Sequence, residues 1–197
     1  MTREQDVVDV LLAQHKEIKI LFSRIPRETG RRKRELFEQL VHVLAVHETA
    51  EEEVVHPAAR RAIQDGERVV DGRLAEEHEA KQALAELYDL GVDHPEFDGK
   101  LDAFAQAVSA HAAHEETAEF PRLRERLSVD QLQQMAGAVR AAEAAAPTRP
   151  HPHAGDTASR NLVGGPPLLL FDQLRDHVRD WREGMADQRV VNRGGRP

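Results

Sequence analysis

The 197-residue sequence contains no cysteine. That excludes disulfides, thiolate zinc and iron–sulfur sites and a cysteine nucleophile together, so any metal must be held by nitrogen and oxygen ligands. Aromatic residues make up only 4% of the chain, whereas Ala, Leu, Glu, Arg and Gln are abundant, a balance that favours helix over strand. No apolar run approaches the roughly 20 residues of a membrane span, and the N-terminal MTREQDVVDV lacks the apolar centre of a signal peptide. The reading is a cytoplasmic protein with no membrane partner. Positive charge is short too: the net charge is −8, which argues against a nucleic-acid partner because phosphate binding needs clustered cations. The one basic cluster, Arg31, Arg32, Lys33 and Arg34, reads as a solvated helix start.

The length suits one helical bundle with an appendage. Apolar residues at three- and four-residue spacing predict helices at roughly 4–25, 31–64, 71–92, 97–126 and 128–145. The short segments IPRETG, DGERVVDG and GVDHPE separate the first four, and connections this short predict an all-α, up-down-up-down four-helix bundle over residues 1–127. Ser128 and Gln131 form a capping box that starts an additional helix at 128–145. The Pro-, Gly- and His-rich stretch 146–167 reads as a linker. Beyond it, Leu170, Leu174, Val178, Trp181 and Met185 predict a short amphipathic helix within 168–197 that docks on the bundle or on a second copy, giving a homo-oligomer.

The chain also repeats itself. A shift of 64 residues lays His47-Glu48-Thr49-Ala50-Glu51-Glu52 over His111-Ala112-Ala113-His114-Glu115-Glu116, and matches Pro57 with Pro121 and Arg60 with Arg124. A lone histidine precedes each copy, His15 by 32 residues and His78 by 33. The pattern is that of two helical hairpins, each offering one His from its first helix and a His plus a Glu from its second.

Both copies lie on seams that ought to be buried. Phe37, Leu40, Leu44, His47, Glu51, Val54 and Ala58 follow alternating steps of three and four, as do Leu101, Phe104, Val108, His111, Glu115 and Ala118. His15 falls in the same kind of seam, among Val8, Leu11, Ile18 and Phe22. An unpaired carboxylate there would cost several kcal/mol, a large fraction of a total stability of about 5–15 kcal/mol. A pair of metal ions compensates it. Residues i and i+4 share a helix face, so His47 with Glu51 and His111 with Glu115 can converge between helices. Imidazole with carboxylate suits iron or manganese, and two carboxylates able to bridge favour a dinuclear centre.

Other histidines rank lower. His42 sits on a helix flank, His94 precedes a loop proline, and His151 and His153 lie in the linker. Three residues stand as candidate extra ligands or second-sphere groups: Glu48, next to His47; His114, within reach of His111; and His56, which needs a distortion near Pro57 to point inward.

On these residues, His15, HETAEEEVVHPAAR from 47, EEHEAKQALAEL from 76 and HAAHEETAEFPRLRE from 111, the chain resembles the hemerythrin-like, or HHE cation-binding, family over about residues 5–127. The resemblance implies two iron ions, oxo- or hydroxo-bridged, with manganese the weaker choice. It implies His15, His47, His78 and His111 as terminal ligands, and Glu51 and Glu115 as bridges. It also implies binding of dioxygen or related molecules. Oxygen-carrying members place a second histidine one turn from the third-helix His, whereas here Leu74 and Gln82 occupy those positions. The shortage of one imidazole predicts an open coordination position and a redox or stress protein reacting with peroxide, dioxygen or nitric oxide, with catalase-like turnover as one form. The alternatives are an iron- or oxygen-responsive binding module and oxygen storage or carriage.

Overall fold

The structure, a computed structural model, describes residues 4–145. The expected linker at 146–167, and the amphipathic helix with its docking or oligomer-forming role, lie outside the described residues. Within them the chain is helical, as its composition requires. Helix α1 spans Val7–Arg24, a 3-10 turn covers Ile25–Arg27, and α2 spans Gly30–Ala50. A π turn at Glu51–Val55 joins α2 to α3, His56–Ala62. Helix α4 is Gly66–Leu90, and α5, Phe97–His114, passes through a second π turn, Glu115–Glu119, into α6, Phe120–Arg126. Helix α7 is Val129–Ala145. No described helix is long and apolar enough to cross a membrane.

Local chemistry sets the boundaries. Asp6 caps α1 by accepting from the Asp9 amide at 3.0 Å, while Asp9 accepts from the Asp6 amide at 3.1 Å, a reciprocal capping box. Arg124 donates to Asp6 Oδ1 at 2.8 Å and to Asp9 Oδ1 at 2.5 Å, which ties the end of α6 to the start of α1. Ser128 and Gln131 cap α7 in the same reciprocal way, at 2.9 and 3.3 Å. Gly91 ends α4 at φ 80°, a conformation that favours a residue without Cβ. The expected loop over DGERVVDG is a correction: α4 already begins at Gly66. Arg60 binds Glu67 and, at 2.7 Å, Asp71, and Val70 is fully buried, so the first turn is held on both faces. Only glycine fits at 66, where a Cβ would stand 2.5 Å from the Ala59 carbonyl.

Helix α1 packs on α2, α5 and α7, α4 packs on α5, and α3 packs on α4. The buried apolar residues form two separate clusters. One gathers Ile18, Leu21, Phe22, Leu36, Phe37, Leu44, Leu84, Leu87, Phe97 and Phe104. The other gathers Val7, Leu11, Val55, Ala59, Val70, Phe120, Leu123, Leu132 and Val139. Each such Leu or Phe contributes roughly 1.5–3 kcal/mol on burial. The chain passes between the clusters at His15, His47, Glu77 and His111, and there the interior turns polar.

Candidate metal centre

Two π turns shape the polar layer. In each, an amide reaches back five residues, His56 N–H to the Glu51 carbonyl and Phe120 N–H to the Glu115 carbonyl. Pro57 and Pro121 follow at once. Proline has no N–H, and in a regular α-helix its ring would collide with the carbonyl four residues back. The wider turn relieves that collision, and such turns recur at functional sites. The extra residue also moves the seam. Val55 and Ala59 are buried where Val54 and Ala58 were expected, and Glu119 is buried where Ala118 was expected. The same shift turns His56 inward, leaving it 3% exposed.

The layer brings together five of the six residues expected to hold metal. His15 Nε2 and His47 Nε2 lie 3.1 Å apart. Two nitrogens about 2.1 Å from one ion and at right angles stand about 3 Å apart, so this spacing suits a shared ion. Glu115 turns one oxygen to His15 at 3.2 Å and the other to His111 at 3.1 Å. Glu51 Oε2 is 3.4 Å from His47 Nε2 and 3.9 Å from His111 Nε2. Ligand atoms of His15, His47, Glu51 and Glu115 fall within 4.8 Å of one another, and so do those of Glu51, Glu77 and His111. Glu51 belongs to both groups.

His78 is not among them. It is exposed on α4, its Nε2 2.9 Å from Gln82 Nε2, and its neighbour Glu77, 1% exposed, takes the inward place. The seam of α4 runs through Val70, Leu74, Glu77, Lys81, Leu84 and Leu87, and Lys81 belongs to it: it pairs with Glu48 at 3.5 Å and with Glu52. Read with Lys81 as an interruption, the stripe points to His78; read through Lys81, it points to Glu77. His114 is also a surface residue, its side chain 57% exposed and 3.2 Å from Glu76. Glu48 is buried beside Lys81.

His56 has a different job from the other buried histidines. Its Nε2 is 2.6 Å from Glu77 Oε1 and its Nδ1 3.8 Å from Glu119 Oε1, so both nitrogens face carboxylates. Burial works against its charge, but Glu119 and Glu77 outweigh burial and push its pKa up to about 10. The imidazolium clamps Glu77 and leaves that residue's Oε2 free. In this layer Glu77, Glu119 and Gln14 are buried polar residues that the sequence did not reveal; elsewhere so are Asp6, Thr49 and Lys33, the last expected in a solvated helix start but 8% exposed and paired with Asp98 at 2.7 Å.

The three seam histidines share one arrangement. His15 Nδ1 lies 2.8 Å from Glu116 Oε1, His47 Nδ1 2.9 Å from Gln14 Oε1, and His111 Nδ1 2.9 Å from Glu76 Oε2. Carboxylate and amide oxygens only accept, so each Nδ1 carries a proton and each Nε2 turns inward, the nitrogen that metal-bound histidines anchored in this way present to an ion. Around those lone pairs, both oxygens of Glu51, Glu115 and Glu119, and one each of Glu48 and Glu77, are buried without a hydrogen-bond partner. So many unmatched acceptors in one apolar interior are intolerable unless cations supply the missing charge. The donor set of imidazoles and carboxylates therefore fits bound metal cations of the kind that take nitrogen and oxygen ligands.

Without cations the charges distort one another. Burial, then the neighbouring Glu115, holds Glu51 well above the carboxylate range. Burial raises Glu115 as well, but His111 and His15 outweigh it and hold that group well below. Burial lowers His47 to about 3, with His15 adding to the effect, and burial with Glu77 lifts Glu48 to about 8. A cavity of about 880 Å³ reaches the layer, lined at its inner end by His15, His47, Glu48, Glu77 and His111 and further out by Ala80, Ala83, Leu87, Phe104 and Ala107.

Comparison with known proteins gives three likenesses. Residues 6–123 match the hemerythrin HHE cation binding domain. The chain is 29% identical over 142 residues to a protein named DNA nickase from Nostoc sp. strain PCC 7120, covering 72% of this chain. It spans 40% of the length of that relative. A crystal structure of a hemerythrin HHE cation binding domain-containing protein from Mycobacterium kansasii superposes with TM-score 0.62 at 22% identity, over 70% of this chain and 84% of that one. That likeness supports a shared fold.

Proposed function

The chain belongs to the hemerythrin HHE cation-binding family, and from that premise we propose a cytoplasmic non-haem di-iron protein, with four antiparallel main helices, that binds or reacts with dioxygen, peroxide or nitric oxide under redox or iron stress. In this reading His15 and His47 would hold one ion and His111 and Glu77 the other, with Glu51 and Glu115 available to both. Iron held there would supply redox-active Lewis-acid chemistry toward small oxygen or nitrogen species. The chain's own groups prepare the place. Glu116, Gln14 and Glu76 keep the Nδ1 protons outside, so that three Nε2 lone pairs face the ions. Phe120 stacks on His15 at 5.8 Å between ring centroids, shutting water out on the side away from the cavity. Glu48 borders the cavity.

The convergence of three outward-anchored imidazoles on unmatched carboxylates carries this reading. Protein purified without added metal, analysed for metal and then mixed with excess peroxide, tests it: two irons per chain and peroxide consumed over many turnovers are expected. Stoichiometric bleaching without turnover would overturn the catalytic part, and a metal-free, stable protein would overturn the whole.

A second reading follows from the name of the Nostoc relative, since a two-ion centre can also activate water against a phosphodiester. The net charge of −8 opposes binding of a polyanion. Metal-loaded protein is therefore expected to leave supercoiled plasmid intact. Nicking that disappears in Glu51→Gln would reverse the preference between the two readings.

A further inference from the structure

Gln14 sits between the layer and the last described helix. It is 6% exposed. Its Oε1 is 2.9 Å from His47 Nδ1, and its Nε2 donates to Glu143 Oε1 on α7 at 2.6 Å. A carboxylate cannot donate, so Glu143 admits only the NH₂ end of the amide. The amide oxygen must then face His47, His47 must carry its proton on Nδ1, and its Nε2 must be a lone pair. If the amide turned over, it would offer an N–H to Nδ1, move the imidazole proton to Nε2 and aim an N–H at the ion.

We propose that Glu143 is a positioning residue for the metal centre, acting through the Gln14 amide to set the tautomer of His47. Helix α7 lies beyond residues 6–123, the part of the chain that matches the family domain, so the appended helix completes the site rather than merely packing on it. His15 and His111 need no such intermediary, because carboxylates accept from them directly. His47 alone relies on an amide, a group that can face either way; Glu76, the acceptor of His111, is also held, by Arg73 at 2.8 Å and His114 at 3.2 Å, but either end of a carboxylate accepts.

The inference rests on His47 being a ligand, and its test separates the two. In metal-free protein, nitrogen NMR of labelled histidine should place the His47 proton on Nδ1. Glu143→Ala should mix the tautomers, and Glu143→Gln, whose amide can present either end, should fall between. In the iron-loaded protein Glu143→Ala should speed loss of iron to a chelator by roughly tenfold, the lower end of the about 10–100-fold cost of removing such outer partners. In a Gln14→Leu background the same substitution should add nothing. Unchanged His47 tautomers in Glu143→Ala, or an equal acceleration in both backgrounds, would overturn the proposal, with helix content by circular dichroism confirming that each variant is folded. The tautomer reading needs no metal, so it fails independently of the iron assignment, which metal analysis of the parent protein tests.

Discussion

The two His-x-x-x-Glu-Glu copies agree at the candidate metal centre and differ immediately behind. His47 and His111 each have Nδ1 anchored outside, and Glu51 and Glu115 each enter a π turn closed by a proline. One turn later the first copy reads Val55-His56 and the second Glu119-Phe120. Apolar and polar partners have changed places, and the exchange puts His56 opposite Glu119. The helices that precede the copies differ as well, one giving His15 and the other Glu77. The candidate ligands are thus nearly two-fold, while what surrounds them is one-sided. A shared frame with unequal backing makes two inequivalent candidate groups, one richer in imidazole and one richer in carboxylate.

Substitutions in matched pairs probe that asymmetry. The largest effect is expected where the copies agree: Glu51→Gln and Glu115→Gln should each reduce bound iron from two per chain to one or fewer, measured by metal analysis. A variant that still holds two would break the equivalence. Next is His56→Phe, which makes the first copy resemble the second. It leaves Glu77 and Glu119 buried without their imidazolium, at a cost of about 3–5 kcal/mol in urea unfolding.

The same residue predicts a pH dependence for the metal-free protein. His56 has a folded pKa near 10 against 6.5 when unperturbed, so its stabilisation is full below pH 6.5 and lost as pH rises through 10. His56→Phe should flatten that part of the profile. Iron removal from the parent should lower the melting temperature by roughly 5–10 °C, as expected for loss of a ligand present at about 100 times its dissociation constant. The smallest effect tests the third bundle helix. His78→Ala should leave iron content unchanged and stability within about 0.5 kcal/mol, as for an exposed residue, whereas Glu77→Ala should lose the second ion.

How much of this was legible depended on whether the helix kept its period. His15, His47, Glu51, His111 and Glu115 could be placed because α1, α2 and α5 hold the 3.6-residue repeat up to those positions. Beyond Glu51 and Glu115 the π turns shift the phase, so Val54, Ala58 and Ala118 were expected inside and Val55, Ala59 and Glu119 are found there. The two prolines were the available signal. His78 lies exposed for another reason: a half-buried lysine was read as a break in an apolar stripe, when Lys81 belongs to the stripe because Glu48 and Glu52 neutralise it. Gln14 carried no sign at all, since nothing local says that an amide will meet a histidine 33 residues on.

The separation of the apolar interior into two clusters has a consequence for how the molecule comes apart. With cations in place, side chains from α1, α2, α4 and α5 are bound to a common point, and both halves should open together. Once the cations leave, the buried and unmatched oxygens of Glu51, Glu115 and Glu119 weaken the polar layer between the halves, and each should breathe more on its own. Amide exchange measured with and without iron should therefore change from a single protection class to two, and a protease should find the difference before any spectrum does.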